Sequence, residues 1–402
     1  MPEAVIVATG RTPIGRALRG SLVEMRPDNL AALVVKEVLA KVPQLNPHSV
    51  EDLMLGCGYP SGEAGFNIAR VVAVLSGLND VPGVTVNRFC SSSLQTIRMA
   101  AHAIKAGEGD VFIAAGVESV SRFAGGPSDR ERALNPLFGE ALARSAARSE
   151  GVGEAWTQQA GLPDIYIAMG QTAENVAEFE GVSRLEMDEF ATLSQNRAVA
   201  SQESGFFERE IIPVTLPDGT VVKKDDGPRP GTTVERLSQL QPVFRAGGTI
   251  TAGNACPLND GAAAVIVMSA TKAKEVGITP LARIVSSGVS GLNPEIMGLG
   301  PIEACRQALS RAGMKIDDID LVEINEAFAG QVIPSARHLG IAWDKLNVKG
   351  GAIALGHPFG MTGARIMTTL LNALGDEDKT FGMESMCVGG GQGMSMIVER
   401  LS

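Results

Sequence analysis

Val86-Asn87-Arg88-Phe89-Cys90-Ser91-Ser92-Ser93-Leu94-Gln95 joins two unlike patterns. Ahead of it, Val81 to Val86 is short and valine-rich, as a buried strand is; behind it, Leu94, Ile97, Met99, Ala100 and Ile104 recur at helical spacing. The spacing predicts a helix from Ser92 to Ala106 ending near Gly107, and it sets Cys90 at a strand-to-helix turn. Ser91, Ser92 and Ser93 suit a first turn, where hydroxyls satisfy backbone groups that the helix leaves unpaired. A thiol there meets unpaired N–H groups and the positive end of the helix dipole, which favours the thiolate and predicts a lowered pKa. Taken alone, the position fits a packed core cysteine better, because free cysteine is among the most buried residue types.

Working outward, Ala4 to Ala8, Leu53 to Leu55 and Val111 to Ala115 read as strands. Asp28 caps a helix carrying Leu30, Leu33, Val34, Val38 and Leu39, and Ala69 to Leu78 is a further helical stretch. Alternating strands and helices imply an α/β layered unit. From Ser121 the rhythm breaks. Gly125-Gly126-Pro127, a run of small and charged residues and Gly151 to Gly161 read as irregular, with helices at Met169 to Phe179 and Ser183 to Ala200. Turns follow at Asp218-Gly219, Asp226-Gly227-Pro228 and Pro230-Gly231. The rhythm resumes near Thr249, so residues 121–250 are expected to form an inserted, loop-rich subdomain carrying ligand contacts, a dimer-contact arm, or both.

The second half repeats the first. Leu53 and Leu321 sit in similar acidic-then-apolar strand patterns 268 residues apart, and Cys90 and His357 occupy similar turns 267 residues apart. Two landmarks with nearly one shift indicate an internal duplication, with Cys90 in one copy and His357 in the other. His357 lies between Gly356 and Gly360 with Pro358 beside it, a permissive backbone suited to close approach, whereas His48, His102 and His338 fall in polar or helical stretches. An imidazole facing a thiol takes its proton and orients its sulfur. Cys387 precedes Gly389-Gly390-Gly391, whose backbone N–H groups are suited to hold an oxyanion. Asn325 ends the strand Leu321 to Ile324, either as a turn-capping amide or as a donor to a carbonyl or water.

The 402 residues suffice for large cores, and five scattered cysteines without CxxC pairing indicate neither a disulfide framework nor a zinc ribbon. A net charge of −10 with no basic block interleaved with aromatics argues against nucleic-acid binding. The start Met1-Pro2-Glu3-Ala4-Val5-Ile6-Val7 has no basic cluster, and no apolar run is long enough to span a bilayer, so a cytoplasmic chain is expected.

Several stretches together resemble the thiolase family, over essentially the whole chain. They are Arg11-Thr12-Pro13-Ile14-Gly15, Asn87 to Ser92, Thr251-Ala252-Gly253-Asn254 with Asn259 to Ala264, Asn325-Glu326-Ala327-Phe328, Gly350 to Pro358 and Cys387 to Gly391. The resemblance implies a duplicated, five-layered α-β-α-β-α fold of class α/β. Residues 1–120, completed by about 251–275, would be the N-terminal half, 121–250 the inserted CoA-binding subdomain and 276–402 the C-terminal half. It implies Cys90 as nucleophile, His357 as its base, Cys387 as the acid that protonates the departing acetyl-CoA carbanion, and Asn325 with His357 as one oxyanion hole. The backbone N–H groups of Cys90 and Gly389 would form the other. Met169, Arg229, Phe244, Cys256, Ala327 and Phe328 match positions that contact CoA. No metal or tightly bound cofactor is implied, coenzyme A is co-substrate to an acyl-CoA, and a homodimer or homotetramer is expected.

Three positions depart from the family pattern: Ser93 where glycine is usual, Ala168 where acetoacetyl-CoA thiolases commonly have histidine, and Cys256 where serine is frequent. Ser93 would crowd the nucleophile turn and Cys256 would alter a pantetheine contact, while Ala168, with Asn87-Arg88 and Ser91-Ser92, points to the degradative 3-ketoacyl-CoA branch. The alternatives are an acetyl-CoA acetyltransferase, a condensing ketoacyl synthase and a non-catalytic acyl-CoA-binding subunit. The second reactive cysteine argues against the synthase.

Overall fold

In the chain's first half, β1 (Ala4–Arg11), β2 (Gly15–Arg16), α1 (Pro27–Ala40), β3 (Asp52–Gly56), α2 (Ile68–Leu75), β4 (Gly83–Val86), α3 (Ser92–Ala106) and β5 (Val111–Ser119) follow one another. The insertion holds α4 (Val120–Phe123), α5 (Gly139–Ser149), α6 (Met169–Phe179), α7 (Arg184–Glu203), the hairpin β6 (Val214–Thr215) and β7 (Val221–Val222), and α8 (Val234–Ser238). Then come β8 (Asn259–Ser269) and α9 (Ala270–Val276). The second half runs β9 (Ala282–Gly291), α10 (Gly300–Ala312), β10 (Leu321–Ile324), α11 (Ala329–Leu339), α12 (Ala352–Leu355), α13 (Thr362–Asp376), β11 (Phe381–Val388) and β12 (Gln392–Arg400). This is a computed structural model, and it describes residues 2–123, 134–151 and 155–402. The Gly125-Gly126-Pro127 turn and part of the Gly151–Gly161 stretch lie outside the described residues.

The main sheet has the order β10-β11-β12-β9-β1-β8-β5-β3-β4, with β2 pairing with β8. Reading outward from the β1–β9 contact, β8, β5 and β3 on one side match β12, β11 and β10 on the other, as a duplication requires. The contact itself is short, only Val5 opposite Arg283 and Ile6 opposite Ala282. Strand alternation sorts the side chains into layers. Ala4 and Ile6 of β1, with Met386, Met394 and Met396, face a central layer made by α3 and α13. Val5 and Val7 point the other way, onto α1 and α2. In the second half Met383 and Ile397 point outward onto α10 and α11, against which the insertion's α6 and α7 also pack. Helices on both outer faces and between the half-sheets make five layers.

Some local expectations need correction. Pro27 opens α1 and Arg26 is its N-cap, so Asp28 is a first-turn residue and not the cap. The run Val81 to Val86 gives only the strand β4, half-buried because it is the sheet's edge. The charged run after residue 138 is the helix α5, whose Arg148 pairs with Glu178 at 3.0 Å and whose Arg144 lies 3.8 Å from Glu295. His357 is preceded by the short helix α12, and the counterpart of β4 is cut to one parallel bridge between Leu346 and Val322, so the second half-sheet has one strand fewer.

A fully buried guanidinium holds the insertion to the first half. Arg11 Nε donates to Glu210 Oε1 at 2.7 Å, and Nη1 and Nη2 donate to the two oxygens of Asp225 at 2.7 and 2.9 Å. Arg11→Ala would leave two carboxylates buried without their cation, and we expect a loss of about 3–5 kcal/mol, read as a shift in the denaturant midpoint.

Candidate active site

Cys90 lies in a 3-10 turn, Phe89–Ser91, just ahead of α3, and is buried. Phe89 takes a positive φ of 41°, a conformation helped by its N–H donating to Asn87 Oδ1 at 2.8 Å. No serine side chain caps α3; Ser92 Oγ instead accepts from Arg88 N–H, ahead of the helix, at 2.9 Å. Ser93 does something different. Its Oγ accepts from Ala364 N–H at 2.9 Å and so ties the start of α3 to the start of α13.

His357 lies on the other side of that tie, buried at the entrance to α13. Gly356, at φ 112°, brings the chain against Asn259, whose Oδ1 accepts the His357 N–H at 3.0 Å. The ring's tautomer follows from its neighbours. Thr362 Oγ1 donates its one proton to Pro358 O at 2.8 Å, so toward His357 Nδ1, 2.6 Å away, it acts as acceptor. Nδ1 therefore carries the ring proton. Nε2 is left as a base, and Asn325 Nδ2 donates to it at 3.3 Å. Asn325 Oδ1 is buried and has no partner among the described residues.

Cys387 sits within β11, two residues before the hairpin turn 389–391 that leads into β12. A cavity of about 330 Å³ is walled by Cys90, Phe89, Gly389, Gly390, Met169, Tyr59 and Phe359. The N–H of Gly389 points at the Cys90 sulfur, and Cys90, Cys256 and Cys387 are close enough that a charge on one disfavours a charge on another. His357 reaches this wall through Phe359, ring to ring at 5.2 Å. Phe328 and Phe244 meet edge to face at 5.9 Å, and Cys256 N–H donates to Ala327 O at 3.0 Å, so four of the expected CoA contacts form one group. Arg229 does not join them. It is exposed, its N–H held by Gln195 Oε1 at 2.9 Å.

The expected low thiol pKa is not found. Burial pushes the Cys90 thiol up to about 11, against the lowering by the N–H groups of Gly389 and of Cys90 itself, and the nearby Glu118 adds to the rise. The helix terminus is outweighed because the sulfur is almost wholly out of water. Burial, and then the charge of Arg365, lowers His357 to about 3. Burial also raises Cys387 well above the thiol range. The resting site thus holds neutral thiols beside a neutral imidazole. For the free protein we expect the rate of Cys90 alkylation by iodoacetamide to climb about tenfold per pH unit from 7 toward 10. A plateau near pH 7, seen by mass spectrometry of the Cys90 peptide, would show a low-pKa thiol instead.

Sequence reasoning missed Thr362, which fixes the imidazole, and Glu118. Glu118 ends β5 buried and collects N–H groups from both halves: Gly58 at 2.7 Å, Tyr59 at 3.2 Å and Gly360 at 2.8 Å. Its carboxyl is pushed up to about 7 by burial. The available signal was an acid directly after the apolar run Val111 to Val117.

A duplicated α/β fold with a thiol at one half's turn and an imidazole at the other's defines the class of architecture, and comparison places the chain within it. The family models for the N-terminal and C-terminal domains of thiolase match residues 4–271 and 278–400. The 3-ketoacyl-CoA thiolase of Aeromonas hydrophila is 43% identical over 410 residues, covering all of both chains. Among solved structures, the acetyl-CoA acetyltransferase of Bacillus anthracis superposes with a TM-score of 0.87 at 38% identity, covering 100% of this chain and 99% of that one. The dimeric peroxisomal thiolase of Saccharomyces cerevisiae gives 0.89 at 36%, covering 99% and 97%. The chain belongs to the thiolase family.

Proposed function

We propose that this chain cleaves 3-ketoacyl-CoA with coenzyme A, giving acetyl-CoA and a shortened acyl-CoA, through an acyl group carried on Cys90. The observation that carries the reading is the cavity in which the Cys90 sulfur faces the Gly389 N–H, with His357 in ring contact with Phe359 of its wall and its Nε2 left as a proton acceptor by Thr362 and Asn325. Because thiol and imidazole rest neutral, proton transfer accompanies attack: the Cys90 proton moves to His357 Nε2 as the sulfur bonds to the 3-keto carbon. The oxyanion formed there is stabilised by donors already in place. The bond between the α-carbon and the former keto carbon breaks, and Cys387 gives its proton to the departing acetyl-CoA carbanion. The thiol of a second CoA then attacks the acyl-Cys90 thioester, its proton passing to the Cys387 thiolate, and the Cys90 thiolate leaves and takes back the proton held on His357 Nε2.

In this reading the subdomain 121–250 and residues Met169, Phe244, Cys256, Ala327 and Phe328 hold the pantetheine arm, and exposed Arg229 meets a phosphate at its outer end. Coenzyme A is a co-substrate, with no cofactor retained between turnovers. We further place the protein in the cytoplasm, in β-oxidation, as a homodimer or homotetramer. Five free cysteines suit a reducing compartment, and the edge strand β4 with Phe66 97% exposed suits a subunit contact. Among the described residues no helix is long and apolar enough to cross a membrane.

A second reading, acetyl-CoA acetyltransferase, is favoured by the likeness to the Bacillus anthracis enzyme. Thiolysis of acetoacetyl-CoA beside medium, long and bulky 3-ketoacyl-CoAs decides between them. The degradative reading expects kcat/KM for longer or bulkier substrates to exceed that for acetoacetyl-CoA by about tenfold or more, roughly 1.4 kcal/mol of transition-state binding. Activity confined to acetoacetyl-CoA would move the chain to the second reading.

A further inference from the structure

The end of α3 away from Cys90 carries Arg98, His102 and Lys105 at i, i+4 and i+7, on one face of the helix. Across from them stand Arg311, in the last turn of α10, and the Ser286–Ser287 stretch of β9. Together these residues line a cavity of about 390 Å³ whose apolar side is formed by Ile284 and Met396. Arg98 Nε donates to Ser287 Oγ at 3.3 Å, and Arg311 Nη1 donates to Ser287 O at 2.5 Å. The two guanidiniums thus meet at the same residue.

No carboxylate lines this cavity, and among the described residues none of Arg98, His102, Lys105 and Arg311 forms an ion pair. Arg26, Arg122, Arg283, Arg337 and Arg400, by contrast, have carboxylate partners. The cations disfavour one another. Burial, then Arg88 and Arg311, lowers Arg98, and burial, then Arg98, Lys105 and Arg311, lowers His102. Positive charge collected in a concave, partly desolvated place strengthens the local field and favours an anion there. Guanidinium forks, an ammonium and a serine hydroxyl are donors suited to phosphoryl oxygens.

We propose that this cavity is a second anion site, for a small polyphosphate or phosphate ester, separate from the cavity that holds Cys90. The twelve residues from Cys90 to His102 correspond to about 18 Å at 1.5 Å per residue. None of the residues assigned above to CoA lines this cavity.

Inorganic pyrophosphate is the probe. Calorimetry on the full-length protein should show saturable binding that persists when sodium chloride matches the ionic strength, and Arg98→Gln with Arg311→Gln should weaken it about tenfold or more. His102→Ala, at an exposed position, should weaken it about threefold and serves if the double variant fails to fold. The KM for CoA and the oligomeric mass by light scattering should stay unchanged in both variants. Absence of saturable binding, or binding that survives the substitutions, overturns the proposal. So does a KM for CoA that rises in parallel, which would make the phosphates those of CoA at its own site. A fall in oligomeric mass overturns it as well, because the cations would then be serving a partner subunit.

Discussion

Cys90→Ala is expected to lower thiolysis by on the order of 10⁴-fold or more while leaving the protein folded. Without the sulfur no acyl-enzyme forms, and His357 has no thiol from which to take a proton. What remains is substrate held near oxyanion donors, which stabilises a charge that nothing now generates. Removing one buried sulfur leaves a small cavity, a modest loss for a chain whose central layer is built from two long helices. The variant should therefore keep its melting behaviour and its affinity for acyl-CoA. Steady-state assays and mass spectrometry for an acyl adduct on the Cys90 peptide measure this directly. Full activity of the variant would end the assignment of the nucleophile, and no activity of the unaltered protein on any 3-ketoacyl-CoA would revive the binding-subunit reading.

For Cys387→Ala the expected loss in thiolysis is about 10²- to 10⁴-fold, the contribution usual for a positioned acid or base. Its thiol is pushed far above neutrality by burial and by the sulfurs of Cys90 and Cys256, so it holds its proton at any ordinary pH. A protonated thiol can donate to a carbanion; Cys90, also protonated at rest, differs in the role proposed for it, with His357 Nε2 as its base. The two cysteines should therefore separate by assay. Exchange of labelled CoA into acetyl-CoA passes through acyl-Cys90 without breaking a carbon–carbon bond, so Cys387→Ala should reduce exchange much less than thiolysis. Cys90 should still be alkylated by iodoacetamide. Equal losses in both reactions would show that Cys387 acts on the acyl group itself, or only as packing.

Much of the site was legible because its residues lie where a strand pattern gives way to a helix pattern. The helix Ser92–Ala106 is found where the spacing of Leu94, Ile97 and Ile104 puts it, and α6 spans the expected Met169–Phe179. The near-equal offsets of 267 and 268 residues foretold the mirrored sheet order. What did not show depends on burial, which a linear pattern does not carry. The Cys90 turn has the local chemistry of an acidic thiol, yet its pKa goes up because other elements remove water from it. The role of Glu118 could not be read from its neighbours in sequence, since its partners Gly58, Tyr59 and Gly360 come from two distant loops. Before His357, the counterpart of β4 is reduced to a single parallel bridge from Leu346 to Val322 of β10, and the chain then turns into the short helix α12.

The way β1 is paired bears on how the chain reaches this state. Ala4 lies opposite Ser269, and Val5 opposite both Met268 and Arg283, so the first strand waits for residues more than 260 positions later before it has neighbours. At roughly 5–20 residues per second of synthesis, that is on the order of 13–50 s during which β1 has no β8 beside it. The N-terminal half is therefore not a unit that folds as it emerges. Pairing of such high contact order makes folding late and slow, with apolar strands exposed to aggregation until β8 arrives.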